Sequence, residues 1–518
     1  MSIYATPSGI TIIGSYNKDW EKILSYEALH FIGSLHRRFN GLLVDLLERR
    51  KKTQQSLDRG ISLGFLPDSQ SLREEKWEVL SPPQVLTDRK VEIITAADNL
   101  QLELGFWAGA SGIVVDFEDT LSPTWRNVIE GQSSMYLALR QSAEKVGNLE
   151  KLPVLHVRPR GIHLLEKHVH VEGEPICASF FDFGLFCFHN ARLLAERQGG
   201  VFFYVPKIEN HYEAEFWSSL FAFTENALSL APGTIRATIL IETLTAAFEM
   251  EEILYSLKNH AVGLLMEPRD YIFSVIKKLR NWREAIFPDR SEITLEASFL
   301  KTCTELLART CHKRGASALF ALTPYVTSPE EDNAEIFSKL REEKEKMKAL
   351  GIDAYVIAHP QLLPGVNHGF DEKTKSEALT IEERNAEIPR DNVGDLLNFK
   401  IGGEITESGI RNNINLVLRY LSSWFSAKGT IESFKIKEDI SSAEIARSQL
   451  WQWIHLGALM DSEIPLDKEI FLAWKTEEKE LLSHLPYLDK ADKILEEVVL
   501  TKDFIDFLSL IAYEQLQG

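Results

Sequence analysis

The chain has 518 residues, of which 44% are hydrophobic and 26% are charged, and its formal net charge at pH 7 is −19. A chain of this length and composition folds around a large core, so small disulfide scaffolds and disordered proteins are excluded. An acidic surface repels phosphate backbones and anionic lipids, which argues against nucleic acid or membranes as partners.

The four cysteines include no C-x-x-C pair, which points to a reducing compartment rather than to a zinc site or a disulfide framework. We find no signal-peptide pattern and no apolar run of about 18 residues that could cross a bilayer. These observations predict a cytoplasmic protein.

The first predicted element in chain order is an N-terminal helical one, assigned to residues 1–88. Apolar residues at helical spacing run from Ser25 to Lys52, and this stretch ends in four consecutive basic residues. The pair Pro82-Pro83 marks a loop before the next extended stretch and closes this region.

Eight short apolar or β-branched runs alternate with helical patterns in residues 89–370. Continuously apolar runs are typical of strands buried on both faces, as in a parallel sheet. About 270 residues for eight β/α units fits a TIM (β/α)8 barrel, and a doubly wound open sheet is the alternative. The predicted strands cover residues 91–94, 112–117, 153–157, 201–205, 235–241, 262–266, 318–322 and 354–357.

The stretch 371–392 is charged and polar, and we interpret it as a linker or an exposed loop. Helical patterns dominate residues 393–518, which predicts a C-terminal all-helical domain. The fold class is therefore α/β, a TIM barrel between an N-terminal helical element and a C-terminal helical domain.

Charged residues stand at the carboxyl ends of several predicted strands. In a parallel barrel these ends converge on one mouth, where catalytic groups gather, although charges at strand ends also occur in plain scaffolds. The residues concerned are Asp116, Glu118, Arg158, Lys207, Glu242, Asp270 and His359.

Glu242 and Asp270 could together hold a hard divalent cation such as Mg²⁺, which accepts carboxylates, water and substrate oxygens. The alternative is that Asp270 caps the following helix while Glu242 pairs with a base. Arg158 follows a strand and precedes a turn, so its guanidinium could stabilise negative charge that develops on an oxygen. An interlayer salt bridge is the other interpretation of Arg158.

Asp439 lies just before a capping-box pattern, Ser441-x-x-Glu444, that opens a helix through Trp451 and Trp453. A carboxylate at this fixed position is a candidate general base, and a plain N-cap is the alternative. We expect both tryptophans to pack in the core.

Two further polar groups are assigned no chemistry. We expect three histidines to lie in a solvated loop rather than on a metal, and three basic residues to form a solvated helix face rather than a phosphate site. The histidines are His163, His168 and His170, and the basic residues are Lys277, Lys278 and Arg280. The sequence contains no Gly-rich phosphate loop, nucleophile elbow or H-E-x-x-H motif.

Taken in order, the motifs along almost the whole chain resemble those of malate synthase of the shorter, A-type form. They include Asp-Phe-Glu-Asp at 116–119, Arg-Pro-Arg-Gly at 158–161, Asp-Tyr-Ile-Phe-Ser at 270–274 and Trp-Gln-Trp at 451–453. The other matching stretches are residues 166–168, 206–209, 241–250, 358–360 and 438–445.

This resemblance implies an acyltransferase of the glyoxylate cycle that condenses acetyl-CoA with glyoxylate to give malate and CoA. It implies that Mg²⁺ binds the residues matching Glu242 and Asp270. It also implies that Arg158 stabilises the enolate and that Asp439 removes a methyl proton.

The resemblance further places Glu118 and Asp119 near the metal, and we expect Arg269 and Asp270 to contact the substrate.

The chain departs from the family where substrate is expected to bind. The family's usual Asn-x-Gly-Arg-Trp-Asp-Tyr run is Leu265-Met266-Glu267-Pro268-Arg269-Asp270-Tyr271 here. Pro268 has no N–H to offer a carboxylate, Glu267 adds a negative charge, and Phe320, in place of a glycine, could narrow the site. These changes leave open a related synthase or lyase with another 2-oxo acid as acceptor, or a non-catalytic CoA-binding relative.

Overall fold

A computed structural model describes residues 4–98, 105, 108–146, 153–328, 333–367 and 393–517. One long helix, α1 (Tyr26–Asp58), dominates the N-terminal region, and its apolar face is buried against the rest of the molecule. Ser25 caps this helix by accepting a hydrogen bond from the backbone N–H of Ala28, which satisfies a donor that the first turn leaves free. A short strand, β1 (Ile10–Ile12), precedes α1, and a short helix, α2 (Gln70–Glu74), follows it.

Eight parallel strands close into a barrel, so the predicted fold class is confirmed. The barrel closes where the last strand pairs with the first, Tyr355 lying opposite Val91. Numbered along the chain, the strands are β2 (Val91–Ala96), β3 (Gly112–Asp116), β4 (Val154–Arg158), β7 (Val201–Val205), β8 (Ile235–Ile241), β9 (Ala261–Met266), β10 (Ser317–Ala321) and β11 (Ala354–Ile357).

Helices surround the barrel, and apolar side chains fill the layer between them and the strands. A separate apolar cluster, which includes Tyr204, Leu265 and Leu319, fills the barrel interior, as in other barrels of this type. The surrounding helices are α3 (Trp125–Val146), α4 (Ala178–Gln198), α5 (His211–Ala227), α6 (Met250–Ser256), α7 (Pro268–Lys278), α8 (Ser298–Lys313), α9 (Ala334–Ala349), α10 (Leu363–Asn367) and α11 (Val393–Leu396).

A three-stranded antiparallel sheet lies outside the barrel and was not predicted. Strands β5 (Leu165–Val171) and β6 (Glu174–Cys177) form it together with β1. His168 and His170 lie on β5, and the Nδ1 atom of His168 is 2.6 Å from Oε1 of the buried Glu166. The expectation of solvated loop histidines is therefore wrong for this pair, because their strand is part of a sheet.

His163 precedes that sheet, and its ring stacks on Phe507 with 4.0 Å between the ring centroids. The expected solvated basic face on α7 is also wrong, because Lys277 and Lys278 are buried. The ammonium group of Lys278 is 2.6 Å from Glu209, and that of Lys277 lies 3.5 Å from the centroid of the Phe507 ring.

The C-terminal region forms a second apolar core of its own. Its elements are α12 (Glu407–Phe425), β12 (Ile431–Ser433), β13 (Ile436–Glu438), α13 (Ile440–Leu456), α14 (Lys468–Leu481), α15 (Leu488–Leu500) and α16 (Leu508–Gln515). The hairpin β12–β13 interrupts the otherwise helical region and leads directly into α13. Helix α13 packs against α7, which brings the C-terminal region to the mouth of the barrel.

The predicted linker, residues 371–392, lies outside the described residues. The domain boundaries at residues 88, 370 and 393 stay a prediction. Within the described part of the chain, every helix is too short or too polar to cross a membrane.

Candidate active site

Arg158 is fixed at the mouth of the barrel by two carboxylates. It ends β4 and stands beside Asp116, the last residue of the neighbouring strand β3. Its Nε and Nη2 atoms donate to the two oxygens of Asp116 at 2.6 and 2.7 Å, and its Nη1 lies 2.8 Å from Asp119. The salt bridge joins two neighbouring strands of the barrel and not two layers, and it leaves a buried positive charge held at the mouth.

Three carboxylates converge beside this guanidinium. Glu242 directly follows β8, Asp270 lies in the first turn of α7, and Asp119 lies in the loop after β3. Each offers an oxygen, and the three oxygens lie within 4.8 Å of one another. Asp119, expected only near the metal, therefore belongs to this acidic cluster together with Glu242 and Asp270.

Glu118 borders the acidic cluster but forms no hydrogen bond with the described residues of that cluster. Both of its carboxylate oxygens are buried and have no hydrogen-bond partner among the described residues. Burial raises the pKa of Glu118 and that of Asp270 well above their ordinary values, and Lys207 opposes both shifts. Buried oxygen donors of this kind fit a hard divalent cation such as Mg²⁺.

Lys207, for which the sequence suggested only a strand-end charge, lies among these carboxylates. Its Nζ is 3.0 Å from Asp270, 3.1 Å from Glu242 and 3.4 Å from Asp119. Burial would lower the pKa of this ammonium group, but the surrounding carboxylates, Asp119 foremost, hold it well above its ordinary value. The acidic cluster therefore surrounds a positive charge.

The backbone holds Lys207 in this place. Its φ of 54° is in the left-handed region, its N–H donates to Glu242, and its carbonyl accepts from Arg50 of α1 at 2.6 Å. Residues other than glycine rarely adopt a positive φ. The hydrogen bonds made by the N–H and the carbonyl of Lys207 stabilise this backbone conformation.

Asp439 is the N-cap of α13, as its alternative interpretation predicted. Its Oδ1 accepts from the backbone N–H of Ser441 at 3.1 Å and from the Ser441 hydroxyl at 2.6 Å. Arg269, in the first turn of α7, reaches across from the barrel and donates to both oxygens of Asp439, at 3.1 and 2.8 Å.

A small cavity of about 30 Å³, called the inner cavity below, lies between these groups. Its lining includes Asp119, Arg158, Arg269 and Asp439, so four residues singled out from the sequence face one space. Asp119 also belongs to the acidic cluster with Glu242 and Asp270, which therefore borders the inner cavity.

Some of the residues at which the chain differs from its family line the inner cavity, and others do not. Leu265 and Glu267 line it, and burial raises the pKa of Glu267 to about 7. Phe320 does not narrow it, because that ring packs in the layer between strands and helices. The next residue, Ala321, lines the inner cavity instead, since neighbouring residues of a strand point to opposite faces.

Two larger clefts adjoin the inner cavity, and Tyr325 lines both of them. The small cleft, about 500 Å³, shares Thr120 and Lys437 with it and is lined also by Lys428. The large cleft, about 760 Å³, shares a group of five residues with it and is otherwise largely apolar. The five shared residues are Glu267, Arg269, Ala321, Leu322 and Pro324.

These features define a class, a (β/α)8-barrel enzyme with an acidic, cation-attracting cluster at the mouth and one carboxylate supplied by a helical region above it. The chain matches the family models described as malate synthase N-terminal domain (residues 8–71), TIM barrel domain (154–398) and C-terminal (404–516). It belongs to the malate synthase family.

Relatives match over almost the full chain. A malate synthase of Myxococcus xanthus is 36% identical, with 98% of this chain and 97% of that protein covered. Malate synthase A of Escherichia coli is 35% identical, with 97% of each chain covered. A ternary complex of Haloferax volcanii malate synthase has a TM-score of 0.46 and 13% identity, covering 83% of this chain and 98% of that one.

Proposed function

We propose that the chain is a malate synthase, which condenses acetyl-CoA with glyoxylate and hydrolyses the thioester to give malate and CoA. The observation that carries this proposal is the meeting of Arg158, Asp439 and the acidic cluster around the inner cavity. Those groups come from the barrel and from the C-terminal region, and the family membership of the chain gives the reaction. We place the enzyme in the cytoplasm, without nucleic acid or membrane partners.

Mg²⁺ is the proposed cofactor, held by Glu242 and Asp270 with Asp119 and Glu118 beside it. Their buried carboxylate oxygens are the ligands that this cation prefers. When bound, the ion would polarise the aldehyde of glyoxylate and orient its carbon for attack. The position of Lys207 supports the assignment, because it shows that the acidic cluster stabilises a positive charge.

In this proposal Asp439 removes a proton from the methyl group of acetyl-CoA, and Arg158 stabilises the enolate that results. A thioester methyl group is a very weak acid, so a carboxylate can remove its proton only if the enolate oxygen meets positive charge. Arg158 supplies that charge, and Asp116 holds it in place before the reaction begins. The methyl carbon then bonds to the aldehyde carbon, and water hydrolyses the malyl thioester.

The small cleft is the proposed path for acetyl-CoA. Lys428 and Lys437 line it, and their ammonium groups suit the phosphates of CoA. Lys437 and Asp439 both line the inner cavity, which connects this path to the proposed base.

Arg269 is the proposed ligand for the glyoxylate carboxylate. It lines the inner cavity, and the preceding residue, Pro268, cannot donate a backbone N–H to an anion. A guanidinium binds a carboxylate through two parallel hydrogen bonds, which can replace backbone donors.

A larger 2-oxo acid is the second candidate acceptor. The observation that favours it is the large cleft, whose apolar lining begins where Glu267 and Arg269 border the inner cavity. Rates of thiol release from acetyl-CoA with Mg²⁺, measured with glyoxylate and with longer 2-oxo acids, separate the two. Activity only with longer acids selects the second candidate, and CoA binding without any turnover selects a non-catalytic relative.

The role of Asp439 is tested by Asp439→Asn. We expect the rate of thiol release to fall at least about hundredfold, the size of a lost general base, while calorimetry shows that CoA still binds. Asp467→Asn is the matched control, because Asp467 also caps a helix of the C-terminal region, α14, but lies outside the site. An undiminished rate in Asp439→Asn would remove this residue from its role.

A further inference from the structure

Arg269 and Asp439 form an ion pair between the barrel and the C-terminal region. Nη1 and Nη2 of Arg269 approach Oδ1 and Oδ2 of Asp439 at 3.1 and 2.8 Å, a fork of two parallel hydrogen bonds. Nη1 also lies 3.4 Å from the hydroxyl of Ser442. Such two-pronged pairs are among the stronger polar contacts in proteins.

This pair occupies the carboxylate that the proposed reaction needs. Besides the two bonds from Arg269, Oδ1 of Asp439 accepts the N–H and the hydroxyl of Ser441. A carboxylate that takes a proton from carbon must direct a free lone pair at that proton. With Arg269 in place, Oδ1 accepts three hydrogen bonds and Oδ2 accepts one, so one lone pair of each oxygen points at the guanidinium instead of at a thioester.

The surroundings of Arg269 allow its side chain to move away from Asp439 and to bind another carboxylate. Its side chain is 25% exposed, and it borders both the inner cavity and the large cleft, so it can rotate without disturbing packed neighbours. The carboxyl group of Glu267 also lies close to Arg269, 3.7 Å from its Nε. An acid that enters the inner cavity would present the same planar carboxylate that Asp439 presents now.

We propose that Arg269 is an exchangeable partner, which holds Asp439 while the site is empty and transfers its two N–H donors to the carboxylate of an incoming 2-oxo acid. The transfer frees Asp439 to take the methyl proton of acetyl-CoA, so acceptor binding switches on the base. This inference rests on the proposed function and makes Arg269 a positioning residue for Asp439.

The exchange is a property of this chain's own sequence. When the family run Asn-x-Gly-Arg-Trp-Asp-Tyr is aligned on Asp270-Tyr271, Arg269 stands where the run has tryptophan. Tryptophan cannot form a two-pronged ion pair with a carboxylate.

The test follows deuterium uptake from D₂O into the methyl group of acetyl-CoA, catalysed by the 518-residue chain with Mg²⁺. A proton passes from carbon to Asp439 and a deuteron returns, so no other bond is made or broken. Oxamate is the probe for the 2-oxo acid, because it has the carboxylate but an amide in place of the reactive aldehyde.

In the wild type we expect uptake to be at least about tenfold faster with saturating oxamate than without it. In Arg269→Gln the two rates should become equal, and the Kd for oxamate, measured by calorimetry, should rise at least about tenfold. Arg269→Lys keeps the charge without the fork, so it should keep part of the oxamate effect. Arg411→Gln is the control, because Arg411 of α12 also forms an ion pair between two elements, with Glu477 of α14 at 2.7 Å, but lies outside the inner cavity and both clefts. This variant should keep the wild-type ratio.

Equal uptake with and without oxamate in the wild type would overturn the exchange, and so would an oxamate requirement that survives in Arg269→Gln. Unchanged oxamate affinity in Arg269→Gln would also overturn it, and this measurement does not depend on turnover. Failure of the proposed function looks different, because then the wild type releases no thiol from acetyl-CoA with any 2-oxo acid.

Discussion

Lys207 is a cation that the chain itself supplies to a group of buried carboxylates. Like charges at such distances repel strongly in a poorly hydrated site, so the acidic cluster folds only with some positive charge inside it. Lys207 meets that need within the protein, at 3.0 to 3.4 Å from Asp270, Glu242 and Asp119. A metal ion that binds there therefore competes with a charge that is already present.

Lys207→Met should consequently strengthen metal binding. We expect the Kd for Mg²⁺ to fall about tenfold or more, because the carboxylates lose their internal partner. Without Mg²⁺ the variant should also melt at a lower temperature than the wild type. Added Mg²⁺ should raise the melting temperature of the variant by more than that of the wild type. Calorimetry and thermal melts with and without EDTA measure both effects.

Lys278→Met is the control for Lys207→Met, because it also removes a buried ammonium group, paired with Glu209 instead of the acidic cluster. An equal Mg²⁺ affinity in Lys207→Met and the wild type would show that Lys207 does not compete with the ion.

Glu343 is a buried carboxyl group whose pKa burial raises from 4.5 to about 7. The folded state therefore binds its proton more tightly than the unfolded state, and the resulting stability is present below pH 4.5 and lost as the pH rises through 7. Glu343→Gln removes this dependence. Above pH 7 the variant should be more stable than the wild type by about 3 kcal/mol, since one pKa unit corresponds to about 1.4 kcal/mol.

Urea unfolding of Glu343→Gln and the wild type at pH 5 and pH 8 measures this difference. If the free energy of unfolding changed equally in the two proteins between these pH values, the raised pKa of Glu343 would be contradicted. The hydrogen bond from the backbone N–H of Thr323 to Oε1 of Glu343 can form in both proteins, so it does not confuse the comparison.

For the candidate site, the sequence predicts single residues better than it predicts which residues contact each other. Glu242 and Arg158 were singled out because each follows a predicted strand, and the barrel topology brings the ends of its strands together. The pair Arg269 and Asp439 joins positions 170 residues apart, and no local pattern records which side chains will meet across that distance.

Among the elements, the hairpin β12–β13 carries the chain from the second core to the inner cavity. Gly429, just before it, lies so close to the loop after β3 that an added Cβ would be 2.0 Å from the carbonyl oxygen of Thr120. Only glycine allows two backbones to approach this closely. The hairpin and the loop that carries Asp119 are thereby held together.

Gly429→Ala should push the hairpin away from this loop. We expect a loss of unfolding free energy on the order of 2 kcal/mol, as for other overpacked sites, and slower thiol release because Asp439 moves with the hairpin. Urea unfolding and the thiol assay measure the two effects. Gly402→Ala is the control, because an added Cβ there meets no atom within 4 Å, and equal behaviour of both variants would contradict the argument.

The elements that were predicted and those that were missed differ in their local signals. The barrel strands are continuous apolar runs, which sequence patterns detect well. The hairpin β12–β13 turns at Phe434 and Lys435, which adopt φ values of 50° and 61° without the asparagine or glycine that marks such turns. Strand β5 has a mixed pattern; it pairs with the adjacent β6 on one side and with β1, more than 150 positions earlier, on the other.

Across the whole molecule, the barrel and the C-terminal region share one site and are joined by polar and apolar contacts. Ile445 of α13 is buried in the main core, and the hydroxyl of Ser122 donates to the carbonyl of Trp424 at 2.7 Å. Near the end of the chain, the Tyr513 hydroxyl donates to the buried Glu166 at 3.2 Å, and Lys167 donates to the Tyr513 carbonyl at 2.6 Å.

Tyr513→Phe should lower the stability of the whole chain with little effect on chemistry. It removes the donor to a buried carboxylate, a loss that typically costs about 1 to 3 kcal/mol. The urea midpoint should fall, while the rate of thiol release at 25 °C stays within about twofold of the wild type. An unchanged midpoint would show that this contact between α16 and β5 adds nothing to stability.

The small cleft and the large cleft, which both adjoin the inner cavity, bear on how products leave the enzyme after each turnover. With the thioester in the small cleft and the acceptor carboxylate bordering the large one, CoA and the hydroxy acid would leave through different clefts. Neither product then blocks the departure of the other. Added CoA should then compete with acetyl-CoA, and added hydroxy acid should compete with the 2-oxo acid.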